Sequence, residues 1–80
     1  MAQSKYYIVS ANGREYCCPS PMDVYYAVLK YVYDVDAKTV DEETHMKAAE
    51  AESWCEDPWG DEFTSYDDEF TVRIADAEED

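Results

Sequence analysis

The chain is short and strongly acidic, and its acids are concentrated after residue 33. Its 80 residues carry a formal net charge of −14 and are 46% hydrophobic and 15% aromatic. Three bases against two acids give residues 1–33 a net charge of +1, whereas three bases against 18 acids give residues 34–80 a net charge of −15. Such a field repels nucleic acids and anionic membranes and attracts basic proteins, and the aromatic content excludes a simple disordered tail. We expect a single domain over residues 1–80, frayed at residues 75–80.

The first predicted element is a β-hairpin. Residues 5–11 are rich in aromatic and β-branched residues, which favours a strand. Asn12-Gly13 follows, and this dipeptide is preferred in two-residue type I′ turns because both positions have positive φ. Residues 14–18 then form the returning strand. Pro19 ends that strand because proline has no backbone N–H to donate to the sheet.

A helix is predicted next, from residue 21 to about residue 33. The segment Ser20-Pro21-Met22-Asp23 is typical of a helix start: serine caps the first turn, proline suits its first position, and aspartate occupies the capping-box position. The apolar residues that follow at helical spacing predict a core stripe of Tyr25, Val28, Leu29 and Val32. Because the helix is apolar nearly all round, we expect burial on more than one side.

A second helix is predicted after a connector at residues 34–38. The segment Thr39-Val40-Asp41-Glu42 has the pattern of a capping box. The alanines at positions 48, 49 and 51 favour a helix that continues to about Cys55 or Glu56. Its apolar side is thin, and we expect it to consist mainly of Met46, Ala49 and Trp54.

Two strands around a turn at Asp67-Asp68 complete the predicted fold. They span residues 62–66 and 69–75. In the second of them Phe70, Val72 and Ile74 alternate with polar residues, so one face is buried. The element order is therefore ββααββ, and its simplest fold is α+β, with one antiparallel sheet and two helices packed on one face.

The second helix and the final hairpin carry the candidate partner-binding surface. Acids at seven-residue spacing share one stripe of a helix, as Glu43, Glu50 and Asp57 do, and Glu52 and Glu56 lie on a neighbouring stripe. Like charges at such spacing destabilise a helix, and a plain solvated face usually interleaves lysines. We interpret these carboxylates as substitutes for phosphates, with a soluble acidic face as the simpler alternative. The candidate residues are Glu43, Glu50, Glu52, Glu56, Asp57, Trp59, Asp61, Glu62, Asp67, Asp68 and Glu69.

Aromatic residues lie among these acids, and they have two possible roles. An aromatic ring beside carboxylates can engage arginine by stacking and ion pairing together. A small domain also needs bulky residues for its core. We expect Trp54 and Phe63 to be buried in the core, and Trp59, in a Pro-Trp-Gly turn, to be partly exposed.

No pattern in the sequence predicts catalysis or metal binding. A zinc site from Cys17, Cys18, Cys55 and His45 lacks the usual ligand spacing, because there is no C-x-x-C and no H-x-x-x-H. Residues 34–45 lack the glycine and the final glutamate of a calcium loop. The chain also has no Gly-rich phosphate loop, and a single histidine is left to serve as a base. We therefore expect no enzymatic activity, no metal and no cofactor.

The sequence shows neither a signal peptide nor an apolar run long enough to span a bilayer. We therefore predict a cytoplasmic protein with reduced thiols. Because adjacent residues of a strand point to opposite faces, one of Cys17 and Cys18 is expected to point inward.

In size, acidity and tyrosine content the chain resembles phage-encoded inhibitors that mimic nucleic acid. Anti-CRISPR proteins are the largest such group, and uracil-DNA glycosylase inhibitor is similar in size and charge. The resemblance covers composition over the whole chain and includes no shared motif, so it assigns no residue a role. It implies that the acids occupy the basic groove of a DNA- or RNA-binding protein, such as a CRISPR-Cas effector, and exclude nucleic acid. Fold gives no confirmation, since members of this class have unrelated folds.

Three other interpretations remain open. The chain is an acidic adaptor or regulatory protein that binds a basic partner without any nucleic-acid role, or a domain adapted to high salt. The third is a homo-oligomer, such as a homodimer, formed through the tyrosines Tyr6, Tyr7, Tyr25, Tyr26, Tyr31 and Tyr33. The concentration of acids after residue 33 weighs against adaptation to salt, which would spread them over the chain.

Overall fold

Four strands form one antiparallel sheet, and two helical segments complete the domain. The structure is a computed structural model that describes residues 4–77. In chain order its elements are β1 (Ser4–Ala11), β2 (Arg14–Cys18), α1 (Pro21–Ala27) with a π-helical continuation (Val28–Val32), α2 (Glu42–Glu56), β3 (Glu62–Thr64) and β4 (Thr71–Ala77). The strands are arranged in the order β2-β1-β4-β3. The predicted α+β fold with ββααββ order is therefore confirmed.

The first hairpin and the start of α1 follow from local sequence signals. Asn12 and Gly13 have φ values of 56° and 76°, and Ala11 pairs with Arg14 across the turn. Positive φ at both central positions is what a type I′ turn requires. Ser20 is extended and accepts a hydrogen bond from the backbone N–H of Asp23 at 3.3 Å, as expected of an N-cap.

The first helix ends in a wider turn than an α-helix has. Val28–Val32 is π-helical, and Tyr33 N donates to Val28 O at 3.2 Å. Val35 N then donates to Leu29 O at 2.9 Å, and Asp34 takes a positive φ of 55°. The helical stretch thus ends next to Tyr33, where the sequence predicts it to end.

The core lies between one face of the sheet and the two helices. Val9 and Val72 are opposite each other on β1 and β4, and both are fully buried. Cross-strand pairs share a face of the sheet, so Phe63, which pairs with Val72, lies on the same face. The helices add Val24, Val28, Leu29, Ala48 and Trp54 to the same buried cluster.

The buried side of α2 differs from the predicted one. Met46 is 60% exposed, and the helix packs instead through Ala48, Ala51, Trp54 and Cys55. Alanine and cysteine at three- and four-residue spacing form a narrow inward stripe, and their small side chains allow close packing against α1. The prediction that Met46 is in the core is wrong. With so few apolar residues in α2, their spacing along the sequence does not show which side of the helix is buried.

The final hairpin is shifted from its predicted bounds. β3 ends at Thr64, two residues early, and β4 begins at Thr71. The sequence predicts fraying at residues 75–80, whereas β4 pairs with β1 as far as Ala77, opposite Ser4. Backbone pairing with a central strand is what holds residues 75–77 in the sheet. Residues 78–80 of the predicted tail lie outside the described residues.

Candidate functional site

The outer side of α2 is the main acidic surface of the domain. Nine of the eleven candidate residues are exposed, and the other two, Glu52 and Asp67, are half-buried. Glu43 and Glu50 are exposed, but they lie on the flank of α2, each four residues before a residue of the inner side, Lys47 and Trp54. Asp57, predicted on the same stripe, lies at the C-cap beyond the helix. At a rise of about 1.5 Å per residue, Glu43 and Glu50 are about 10 Å apart along the helix.

Lys47, the one lysine of α2, lies between Glu43 and Glu50 and pairs most closely with Asp67. Its side chain is 13% exposed, and its Nζ lies 2.9 Å from Asp67 Oδ2 and 3.9 Å from Glu43 Oε2. The ammonium also lies over two rings, 5.2 Å from the Tyr33 centroid and 5.5 Å from the Tyr66 centroid. Lys47 therefore links α2 to the β3–β4 turn.

Asp67 has partners inside the domain. Tyr33 Oη donates to Oδ2 at 2.9 Å, and Ser65 Oγ donates to Oδ1 at 2.7 Å. Burial alone would raise the pKa of Asp67, but the contacts from Lys47, Ser65 and Tyr33 together outweigh it and hold that pKa well below its usual range. The Asp67 carboxylate thus stays ionised within the turn, and its oxygens are already engaged.

Trp59 and its neighbours form a second part of the candidate surface, beyond the C-terminal end of α2. Trp59 is 60% exposed, whereas Trp54 is fully buried and donates its indole N–H to Trp59 O at 2.7 Å. Phe63 is also buried, with its ring centroid 6.4 Å from that of Trp59. The predictions for all three aromatic residues are therefore confirmed. Asp61 and Glu62 are exposed next to them.

Asp68 and Glu69 belong to a different part of the molecule. They line a groove of about 680 Å³ together with Asn12, Gly13 and Arg14 of the first hairpin. Asp68 takes a positive φ of 62° in the β3–β4 turn. The structure thus places these two acids in one groove with Arg14, a base of residues 1–33, and not along α2.

A further groove runs along α2 itself, and the sequence interpretation does not single it out. It has a volume of about 520 Å³ and is lined by Glu43, His45, Met46, Lys47, Ala49, Glu50 and Tyr66. Met46 is 60% exposed and Tyr66 is 76% exposed. Tyr66 Oη donates to Glu43 Oε2 at 3.3 Å, so the ring stands beside a carboxylate. The sequence signal that could have revealed this groove is Met46, an apolar residue that the sequence predicts in the core but that is exposed.

The cysteines and the histidine have structural surroundings. Cys18 is buried and Cys17 is exposed, so the prediction that one of them points inward is confirmed. Burial raises the pKa of Cys18 to about 11 and that of Cys55 to about 12, which keeps both thiols protonated at neutral pH. His45 Nδ1 lies 2.6 Å from the hydroxyl of Tyr25.

Within residues 4–77, no group of three or more His, Cys, Asp or Glu side chains is arranged to hold a metal ion. The helices of that part of the chain include none with the length and apolar character to cross a membrane. No family model matches the sequence, and no match was found among curated proteins or solved structures.

Proposed function

We propose that this protein is an inhibitor that binds the positively charged nucleic-acid groove of a DNA- or RNA-binding protein. The acids of α2 and of the following loop take the place of phosphates, and the partner can then no longer hold nucleic acid. A CRISPR-Cas effector is one partner of this class, in keeping with the resemblance to anti-CRISPR proteins. The chain acts stoichiometrically and uses no cofactor.

The observation that carries this proposal is the excess of exposed carboxylates over bases on α2 and the loop that follows it. Of the three bases after residue 33, Lys47 is held by Asp67, and Arg73 Nη2 lies 3.1 Å from Glu15 Oε2. Lys38, the third, is exposed in the turn at residues 37–39. Two of the three bases after residue 33 thus have acids as partners within the domain, and Lys47 is the one base on α2 beside four exposed glutamates.

This arrangement suits competition with nucleic acid. Exposed carboxylates on a rigid helix steer a basic protein towards the complex and raise its association rate. Once bound, they occupy the lysines and arginines that would otherwise contact phosphates, which supply much of the affinity of nucleic-acid-binding proteins. The folded scaffold holds the charges in place and reduces the ordering cost of binding.

The test measures the partner's nucleic-acid affinity directly. Immobilised chain captures basic proteins from a lysate at low salt, and the captured protein is purified and identified. Its affinity for a fluorescent DNA or RNA is then titrated at increasing concentrations of the chain. We expect strictly competitive behaviour and weaker capture as salt rises from about 0.05 to 0.5 M, because salt screens exposed charges.

A stable ternary complex with unchanged nucleic-acid affinity would contradict mimicry. That result would favour the second candidate, an acidic adaptor that binds a basic partner outside its nucleic-acid groove.

A complex insensitive to salt would point to an apolar interface instead. Tyr26 and Tyr31 are the tyrosines on α1 and its π-helical continuation that are exposed, at 49% and 45%, and Met22 beside them is 59% exposed. A dimer through that patch would appear as a mass that depends on concentration.

A further inference from the structure

The groove along α2 combines an open aromatic face with carboxylates. Lys47 lies over one face of the Tyr66 ring and is itself nearly buried, so it covers the inner face. Because Tyr66 is 76% exposed and lines the groove, the face of the ring away from Lys47 is open to solvent. Tyr66 also donates a hydrogen bond from its hydroxyl to Glu43. The ring therefore contacts α2 both at its hydroxyl end and at one face.

The other residues that line the groove indicate what kind of side chain can bind there. Met46 supplies an exposed thioether and Ala49 a small apolar floor, which suit the methylene stem of a long side chain. Glu43 and Glu50 supply two carboxylates, and the one lysine of the lining, Lys47, lies closer to Asp67 than to Glu43, so the groove suits a further cation. An aromatic face next to carboxylates favours a planar guanidinium over an ammonium, since guanidinium stacks on the ring and can also donate two parallel hydrogen bonds.

We propose that this groove is a docking site for an arginine side chain of the partner. The guanidinium stacks on the outer face of Tyr66, its stem lies against Met46, and its N–H groups donate to Glu43, the carboxylate beside the ring, while Glu50 adds negative charge to the groove. The proposal rests on the proposed function, in that the arginine is one with which the partner would otherwise bind phosphate. It adds an anchor at which arginine is preferred over lysine, which a purely electrostatic surface does not provide.

The first experiment uses two peptides of equal charge, nona-arginine and nona-lysine. The protein is labelled with ¹³C at its methionine methyl groups, and NMR follows each peptide's titration. Met22 is a built-in control, because it is 59% exposed on α1 and does not line the groove. We expect nona-arginine to bind about fivefold more tightly than nona-lysine. We also expect it to shift the Met46 signal saturably while the Met22 signal stays in place.

Variants then assign the preference to Tyr66. Tyr66→Ala should abolish the preference for arginine, whereas Tyr66→Phe, which keeps the ring, should retain most of it. Tyr26→Ala is the matched control, since it removes an exposed tyrosine of α1 and should leave the preference intact. Far-UV circular dichroism checks that each variant is folded. The two peptides test the arginine site without nucleic acid, so the outcome does not depend on whether the partner's inhibition is competitive.

Equal affinity for the two peptides in the parent protein would overturn the proposal. It would also be overturned if the Met46 and Met22 signals moved together, because the peptide would then bind the surface without using the groove. A Tyr66→Ala variant that keeps the full preference would count against it in the same way. Tighter binding of an uncharged apolar peptide at Met46 would identify an ordinary hydrophobic site.

Discussion

The two helices pack against each other and yet expose surfaces of different charge. α1 and its π-helical continuation expose Met22 and Tyr26, whereas α2 exposes Glu50 and Glu56. The charge difference between the two segments of the chain has therefore become a difference between two surfaces of one domain. The helices also anchor differently: α1 buries valines and leucine, and α2 buries mainly alanines, one cysteine and one tryptophan.

This contrast shows how an acidic helix can be kept folded. Its like charges repel along the exposed side, and no wide apolar stripe compensates for them. Trp54 inside the core and the link from Lys47 to Asp67 hold α2 in place at two separate points. With one lysine and five glutamates, α2 keeps the net negative charge that a surface attracting a basic partner requires.

The largest effect should come from removing the core anchor of α2. Trp54→Ala should lower the free energy of unfolding by about 3–5 kcal/mol, since it leaves a large cavity. Trp59→Ala is the control at an exposed ring and should cost about 1 kcal/mol or less. Urea unfolding followed by circular dichroism measures both. Because the alanine variant is expected to be close to unfolded, Trp54→Phe provides a milder change at the same position. Equal losses at Trp54 and Trp59 would contradict the contrast between anchor and surface.

Breaking the second anchor should have the next largest effect, and it should depend on pH. Asp67→Asn should cost about 2 kcal/mol at pH 7, because it removes charge-assisted hydrogen bonds and leaves Lys47 without its main counter-charge. Asp68→Asn is the matched control: it makes the same charge change at the neighbouring, exposed residue and should be neutral or slightly stabilising. Chemical unfolding at a series of pH values measures the difference between the two variants.

The sign of this pH dependence follows from the lowered pKa of Asp67. In the unfolded chain an aspartate has a pKa of about 3.9, so the folded state gains stability from ionised Asp67 above about pH 4. That contribution is lost as the pH falls through the folded-state pKa. The difference between parent and Asp67→Asn should therefore be constant near neutral pH and shrink below about pH 4. A difference that grows on acidification would contradict the ion pair.

A smaller effect is expected from the exposed acids of α2, and it concerns binding rather than stability. The double variant Glu50→Gln and Glu56→Gln should weaken the partner complex about tenfold and reduce its salt dependence. Met22→Lys with Ala37→Lys changes the net charge by the same amount at exposed positions outside α2 and should weaken binding less. Both affinities are measured by titration at two salt concentrations. Equal effects would mean that net charge matters and the position of the acids does not.

The smallest effect compares the starts of the two helices. Ser20→Ala should cost about 1 kcal/mol, because Ser20 accepts a hydrogen bond from the N–H of Asp23. Asp41 lies at the N-cap of α2 without the side-chain cap that Ser20 provides to α1, so Asp41→Ala should cost less than Ser20→Ala. Urea midpoints of the two variants test this ranking. A larger loss at Asp41 would show that α2 depends on its cap more than its contacts indicate.

Local signals in the sequence predict the order of elements well. Asn12-Gly13 marks a tight turn because of its φ requirements, and Ser20-Pro21 marks a helix start because of its capping chemistry. The alternation of Phe70, Val72 and Ile74 marks a strand with one buried face. Each of these signals acts within a few residues, so it needs no knowledge of the tertiary structure.

Orientation and pairing across the chain are harder to predict. α2 has too few apolar residues to show which side is buried, so Met46 is wrongly expected in the core. Lys47 lies on the same side as Ala51 and Trp54 at four- and seven-residue spacing, but its partner Asp67 is 20 residues away and carries no signal of the pairing. The strand order β2-β1-β4-β3 also depends on contacts between distant segments. The same limit hides the groove at Tyr66, which exists only because the β3–β4 turn meets α2.

The centre of the sheet has a consequence for how the protein is made. Val9 on β1 and Val72 on β4 are opposite each other although 63 residues separate them in the chain. Contacts of such long sequence separation slow folding, because a large loop must close before they form. During synthesis β1 has only its hairpin partner β2 until β4 has left the ribosome. Most of the acids after residue 33 precede β4 in the chain, so we expect their negative charge to oppose association with other acidic chains while the edge of β1 is still unpaired.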